Sequence, residues 1–425
     1  MAVLLVISAG VAHGVQDRMQ IVQKNEITRK SRLDSLTDPE RNRWRIQSID
    51  TMKESRDRAR GKLHDDSYDE EIVRQVEAIA GTGANFIAID TPYDEEFLPF
   101  LRRWIEVARS QRLHVWFRGN WSGWEGWFDY PKTLTRENHI QKTEQFIAKH
   151  PELFRDGDIF SPCPECENGG PGDPRVTGDV SGYRKFVLDE YERSEVAFSE
   201  IHKKVRVFFP SNLDIVKLVM NKETTRSMGG VVVIDHYIDN PKNMARDVVN
   251  IARSSGGKVV VGEFGTPLDS HSSMTDEDQA LWIRTVLHDL SDMDVIEGVN
   301  YWIHTGGPTE LWRASGEARA SASVIREYFL PRILYGTVTD ERFCPIEGAR
   351  IVIDGHQVFS ATNGRYEIRN IEKQSSKALA FSEDFFDSSE KFSFGNSSVV
   401  QKNIILQKKK PTPFLESSLF FGECQ

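Results

Sequence analysis

The chain has 425 residues, 39% apolar and 28% charged, proportions ordinary for a soluble globular protein and a length that suits two or three domains. A formal charge of -10 with no basic stripe excludes a surface built to neutralise nucleic-acid phosphates. Four cysteines (Cys163, Cys166, Cys344 and Cys424) contain a single CxxC, and no second CxxC or HxxxH completes a structural zinc site.

The chain begins MAVLLVISAGVAHG, an apolar run of about 14 residues that is too short to span a bilayer. No Lys or Arg precedes it, although Ala9, Ala12 and Gly14 suit cleavage. These residues admit a buried segment, a signal peptide or a truncated membrane anchor. The expectation leans to a location outside the cytoplasm or to membrane association. From Gln16 to Arg43 the chain is charged and helix-permissive, so residues 1–44 form an N-terminal segment.

Eight apolar, β-branched runs follow: RIQSID at 45–50, then 85–94, 113–121, 158–165, 204–212, 230–239, 257–267 and 296–307. Near-continuous apolar character marks strands covered on both faces, as in a parallel sheet. Helical patterns lie between them. Ile72, Val73, Val76, Ile79 and Ala80 precede the second run, and Phe97, Leu101, Trp104, Ile105 and Ala108 follow it. Thr275 and Asp278 are spaced as a capping box, with Asp where Glu is preferred. Eight βα units over about 290 residues predict a (β/α)8 TIM barrel, of α/β class, at residues 45–332. A doubly wound sheet is the alternative, but no nucleotide-binding glycine fingerprint follows an early strand.

From residue 333 to 410 the texture changes to short alternating runs, and Thr362-Asn363-Gly364 carries a hairpin signal between two of them. This predicts a small all-β sandwich. Residues 411–425 are expected to form a flexible tail.

A barrel of this kind works at the C-terminal ends of its strands. The residues ending these runs are Asp50; Asp90 and Tyr93; Arg118 and Asn120; Glu165; Asn212; Asp235, His236 and Tyr237; Glu263; and Trp302 and His304. Carboxylates, an arginine, histidines and aromatics thus meet on one rim. The CxxC lies there too, in SPCPECENGG, where downstream glycine and proline deny it the helix of a redox motif. Its sulfurs read as loop thiols or a local disulfide. After the third strand, GNWSGWEGWF spaces Trp121, Trp124 and Trp127 with glycines, which suits sugar stacking, and Glu125 among them could bind hydroxyls.

Two carboxylates on opposite strands are what glycoside hydrolysis requires: one protonates the leaving oxygen, the other attacks the anomeric carbon or activates water. With Glu165 on the fourth strand and VVVGEFG presenting Glu263 on the seventh, the barrel resembles the clan A glycoside hydrolases, family 5 and other cellulase-like members in particular. DHY at 235–237 and NYWIHTGG on the eighth strand extend the resemblance. It implies a retaining glycosidase acting on a β-linked oligo- or polysaccharide, with Glu165 as acid/base and Glu263 as nucleophile. Tyr237 would steady the nucleophile and Trp302 would floor the sugar site. No metal or organic cofactor is implied. That family places Asn-Glu-Pro after strand four, whereas this chain has Pro164-Glu165-Cys166. Either Asn168 or another group replaces the asparagine, or Glu167 is the acid and the register shifts. Asp50, Asp90, Arg118, Asn120, Asn212, His236 and His304 complete the expected substrate-binding set. The sandwich resembles the carboxypeptidase regulatory-like domains through GTVTD, IEGARIVIDG and FSATNGRYEIRNI. The rival function is a barrel that binds glycans without turnover, displayed beside an adhesive sandwich.

Overall fold

The computed structural model describes residues 43–266, 274–291, 293–369, 371, 373–395 and 397–409. The expectations for the N-terminal segment before Arg43 and for the tail at 411–425 lie outside them. Among the described residues no helix is long and apolar enough to cross a membrane.

Nine strands form one parallel sheet: β1 (Ile46–Asp50), β2 (Phe86–Ile89), β3 (His114–Phe117), β4 (Ile159–Phe160), β5 (Arg206–Val207), β6 (Pro210–Asn212), β7 (Val231–Asp235), β8 (Lys258–Phe264) and β9 (Ile296–Tyr301). Their order is β5-β4-β3-β2-β1-β9-β8-β7-β6. The two ends of this path, β5 and β6, are separated in the chain only by Phe208 and Phe209. They are halves of one barrel stave, so the sheet closes and the staves number eight. β8 is therefore the seventh stave and β9 the eighth.

Alternation along the strands divides the apolar residues between two cores. Val231, Val233 and Val260 point inward and pack with Ile46, Phe86, Ala88, Trp116, Ile159 and Phe208 inside the barrel. Val232, Ile234, Val259 and Val261 point outward against the helices. The interior is thus a layered plug of side chains, which leaves chemistry only to the rim.

Among the described residues the longer helices are α1 (Asp69–Gly81), α2 (Leu98–Ser110), α3 (Arg136–Lys149), α4 (Val180–Glu200), α5 (Leu213–Val219), α6 (Lys242–Ser255), α7 (Asp276–Ser291) and α8 (Ala320–Phe329). Ile72, Val76 and Ile79 bury one stripe of α1, and Leu101, Trp104, Ile105 and Ala108 bury one stripe of α2. Phe97 lies in a 3-10 turn just ahead of α2. The box before α7 forms as read: the Asp278 N–H donates to Thr275 Oγ1 at 3.1 Å, and the Thr275 N–H to Asp278 Oδ2 at 3.2 Å.

The chain divides into two compact units, one spanning Asn42–Phe329 and the other running on from Leu330. In the second, β10 (Ile333–Asp340) is the spine of one small sheet. It pairs antiparallel with β13 (Arg365–Arg369) and parallel with β16 (Val399–Gln401) and β17 (Ile404–Leu406). The other sheet runs β12-β11-β14-β15, from β11 (Arg350–Ile353), β12 (His356–Phe359), β14 (Ser375–Phe381) and β15 (Ser388–Ser393). Leu334, Val338, Ile351, Ile353, Tyr366, Ile368, Ala378, Ile404 and Leu406 fill the space between the sheets.

One expectation fails here. The Thr362-Asn363-Gly364 turn is tight, with the Ala361 N–H donating to Arg365 O at 2.8 Å and the Gly364 N–H to Ala361 O at 2.7 Å. Yet β12 and β13 belong to different sheets, so the turn is a crossover and not a hairpin. The local signal specifies the reversal of the chain. Which edge captures the next strand is decided by β10.

Candidate active site

The strand ends converge on Arg118, directly after β3 and only 1% exposed. An isolated buried guanidinium would be costly; this one is ringed by carboxylates from four other staves. Asp50 Oδ2 lies 3.4 Å and Asp90 Oδ1 3.6 Å from Nε, Asp235 Oδ2 lies 3.3 Å from Nη2, and Glu263 Oε1 contacts Nη2 closely. Burial works against the arginine's charge, but these acids more than offset it and hold its pKa well above the ordinary value. One cation cannot neutralise four acids. The surplus appears in the carboxyls: burial, resisted by Arg118, lifts Asp50 to about 6. Burial and the neighbouring Asp50 lift Asp90 well above its usual range, and burial does the same to Asp235.

A bulge aims Glu263 at this cluster. The β7–β8 ladder pairs Ile234 with Val261 and then Asp235 with Glu263, so Gly262 is the extra residue. Bulges re-aim side chains in this way. A β-carbon at position 262 would stand 2.5 Å from Asp235 Oδ1 and 2.6 Å from Val233 Cγ1, which leaves room for glycine alone. The Gly262 carbonyl accepts from Arg118 Nη1 at 3.2 Å and from Asn300 Nδ2 at 2.8 Å. Tyr237 OH donates to Glu263 Oε2 at 2.8 Å, and the Trp302 ring stands edge-on to Tyr237 at 5.8 Å. Both Glu263 oxygens are therefore held.

Glu165 faces this assembly from the β4 loop. Carboxylate oxygens of Glu165, Asp235 and Glu263 lie within 4.8 Å of one another. Asn168 Nδ2 donates to Glu165 Oε2 at 2.8 Å. Burial first, then the charges of Glu263 and Glu167, raise Glu165 to about 8. Glu167 points elsewhere: its Oε1 accepts from the Asn212 N–H at 2.8 Å and from Asn212 Nδ2 at 3.1 Å, and its Oε2 from Tyr183 OH at 3.3 Å. It clamps the β4 loop to β6 and α4, and Asn212 is spent on that clamp.

Several expected sugar contacts turn out to be internal. Trp121 is buried against Tyr93 and Phe146, with Nε1 donating to Thr143 Oγ1 at 3.2 Å. Trp124 is 1% exposed, stacks on Phe186 at 5.5 Å and donates from Nε1 to Cys166 O at 3.2 Å. Glycine spacing opened that loop, but the rings fold inward because α3 and α4 offer an apolar bed. Trp127 stays half-buried, with the Arg56 guanidinium 4.8 Å from its ring. Glu125 is half-buried too, and burial raises it to about 7. Asn120 is fully committed: it donates to Glu125 Oε1 at 3.0 Å and accepts from the Trp121 N–H at 2.7 Å. Asp50 and Asp90 lie beneath the rim as partners of Arg118. His236 sits 3.0 Å from Asp247 on α6. His304 is buried flat on Trp312 at 4.6 Å, and burial drives its pKa down to about 3.

Three neighbours of this assembly escaped the sequence reading. Asn300, inside the apolar run of β9, bridges Gly262 O and Asp50 Oδ2, the latter at 3.2 Å. His139 on α3 lies 2.9 Å from Glu190 Oε2 on α4 and 2.9 Å from Asn120 Oδ1, and so fixes which way that amide points. A signal existed for Glu190: it falls on the buried stripe of α4 with Tyr183, Phe186, Val187, Ser194 and Ala197, where a charge requires a partner.

Among the described residues, two groups have metal-like spacing. In the first, Glu165, Asp235 and Glu263 converge, with the Arg118 guanidinium already on the last two. In the second, His139 lies near Cys163 and Cys166, but those sulfurs are joined in a disulfide with Cα atoms 5.0 Å apart.

No known family matches the sequence, and neither does any curated protein. Solved structures match parts of the chain. GH5_18 from Streptomyces cattleya in complex with GlcNAc is 13% identical over 69% of this chain and 84% of its own, with a TM-score of 0.49. Native xylanase 10B from Thermotoga maritima is 13% identical over 60% and 89%, with a TM-score of 0.45. A Bacteroides uniformis β-glucuronidase is 12% identical over 84% of this chain and a TM-score of 0.47, and the match spans 46% of its length. At such identities and scores the functional reading rests on this chain's own residues.

Proposed function

We propose that the chain is a retaining glycoside hydrolase acting on a β-linked oligo- or polysaccharide, with Glu165 as acid/base and Glu263 as nucleophile. The observation that carries this reading is that one oxygen of Glu165 and one of Glu263 lie within 4.8 Å of each other across the barrel mouth. Retaining enzymes hold their carboxyl groups about 5–5.5 Å apart, and inverting ones about 6.5–9.5 Å. The surroundings suit the two roles. Glu165, raised to about 8, is protonated at neutral pH and can donate to the leaving oxygen. Glu263, held by Arg118 and Tyr237, attacks the anomeric carbon and becomes an ester. Its charge, which helps hold the Glu165 proton, is then gone. Glu165 turns into the base that takes a proton from water, the water oxygen bonds to the anomeric carbon, and Glu263 departs as carboxylate. Of the expected aromatic contacts, Trp127 is half-buried and Trp302 only 9% exposed beside Tyr237, so Trp127 is the more open ring for stacking on sugar. The chemistry calls for no metal or organic cofactor.

The Cys163–Cys166 disulfide, together with the disulfide-bonded state of Cys344, supports an oxidising compartment outside the cytoplasm. One observation favours the rival glycan-binding reading: Glu263 is only 5% exposed and already ion-paired. Screening β-linked polysaccharides for new reducing ends separates the two. Turnover that Glu263→Ala removes supports the hydrolase; saturable glycan binding with no turnover supports the rival.

A further inference from the structure

We propose that the Cys163–Cys166 bridge is a positioning device for the acid/base: it locks the backbone of Glu165 so that the carboxylate faces Glu263. This rests on the roles proposed above. The bridge closes across three positions in sequence and encloses only Pro164 and Glu165. Chain-entropy stabilisation by a disulfide is least for so short a loop, so the bridge contributes little to the stability of the whole barrel. What it restricts is the conformation of the two enclosed residues.

Glu165 has φ +46°, in the left-handed region that residues with a β-carbon avoid. A residue persists there only when its surroundings over-determine it. The surroundings do so here. The Glu165 N–H donates to Pro210 O at 2.8 Å, its carbonyl accepts from the Asn168 N–H at 2.8 Å, and Trp124 holds the Cys166 carbonyl. Asn120 Nδ2 lies 3.5 Å from Cys163 Sγ. Both sulfurs are buried, so they serve as an internal strut and not as exposed thiols awaiting a reductant. Where the resembling family has asparagine before and proline after its acid, this chain encloses the acid in a covalent ring.

The test is the double variant Cys163→Ala/Cys166→Ala, assayed on paired phenyl and 2,4-dinitrophenyl β-glucosides, β-mannosides and β-cellobiosides. A displaced acid costs rate only where the leaving group needs a proton, so kcat/KM should fall about 10²-fold or more on the phenyl glycosides and under about threefold on the dinitrophenyl ones. Equal losses on both, or none, overturn the proposal. Glu165→Ala run alongside separates the two levels: if it shows no leaving-group dependence, the acid/base assignment has failed; if it does and the double variant does not, only the strut has. A crystal structure of the double variant needs no substrate. It should show Glu165 out of positive φ and turned from Glu263, and an unmoved Glu165 overturns the proposal. Should the variant not fold, Cys163→Ser/Cys166→Ser, closer in size and polarity to the reduced pair, replaces it in the same paired assay, and the same pattern of losses decides.

Discussion

Glu165 and Glu263 end two staves of one barrel, yet their surroundings differ in kind. Glu263 stands on a regular strand, turned inward by a one-residue bulge, with a guanidinium on one oxygen and a phenol on the other. Glu165 stands in an irregular loop, braced by a disulfide, with an amide at 2.8 Å as its side-chain partner and negative charge on the far side. The same carboxyl group thus meets a guanidinium and a phenol in one place, and in the other burial and a negative neighbourhood that raise its pKa to about 8. Identity of residue sets what chemistry is available, and the neighbours decide which half of the proposed reaction each carboxyl suits.

The largest break in that contrast is Glu263→Ala. It removes the group that the proposed mechanism needs in both steps, and kcat should fall by about 10⁴-fold or more on every substrate, measured as release of reducing ends. Next comes the Glu165/Glu167 pair. Glu165→Gln should suppress turnover of natural glycans by about 10²–10⁴-fold, whereas Glu167→Gln should leave the dependence on leaving group unchanged and lower the melting temperature, because it loosens the clamp to Asn212 and Tyr183. A smaller effect is expected from Tyr237→Phe, which removes one donor to Glu263: kcat should drop about 10-fold with little change in KM.

The smallest effects are in pH. Folding raises the Glu165 pKa from its ordinary value near 4.5 to about 8. The native state therefore holds a proton that the unfolded chain has released, and stability associated with Glu165 is full below 4.5 and lost as pH rises through 8. The kcat/KM profile on poor leaving groups should fall on its basic side near pH 8. In Glu165→Gln that limb should disappear, and the melting temperature should decline less between pH 5 and pH 8 than in the wild type.

The barrel was legible because its signals are local and redundant. Val231 to Ile234 and Val259 to Val261 announce buried strands by composition alone, and the Thr275–Asp278 box marks the start of α7. Glu165, Arg118, Tyr237 and Glu263 were legible because a barrel's rim can be read from the residues ending each run. What was not legible depends on which element packs over a given face. Trp121 and Trp124 carry glycine neighbours that read as an open sugar platform, and only the bed formed by α3 and α4 turns them inward. Asn300 lies within an apolar run, and its value comes from the carbonyl that the Gly262 bulge exposes. The Thr362-Asn363-Gly364 turn gave its own geometry but not the identity of the strand's partner.

Azide rescue tests the assignment of roles most directly, because azide is a nucleophile that needs no base. With an activated aryl β-glycoside that the wild type turns over, Glu165→Ala should still form the glycosyl-enzyme and, with azide added, should regain turnover and yield a glycosyl azide of retained configuration, read from the anomeric proton by NMR. Glu263→Ala under the same conditions should yield the inverted azide, formed by direct attack in the space left by the nucleophile. An inverted product from Glu165→Ala, or a retained one from Glu263→Ala, would contradict the account.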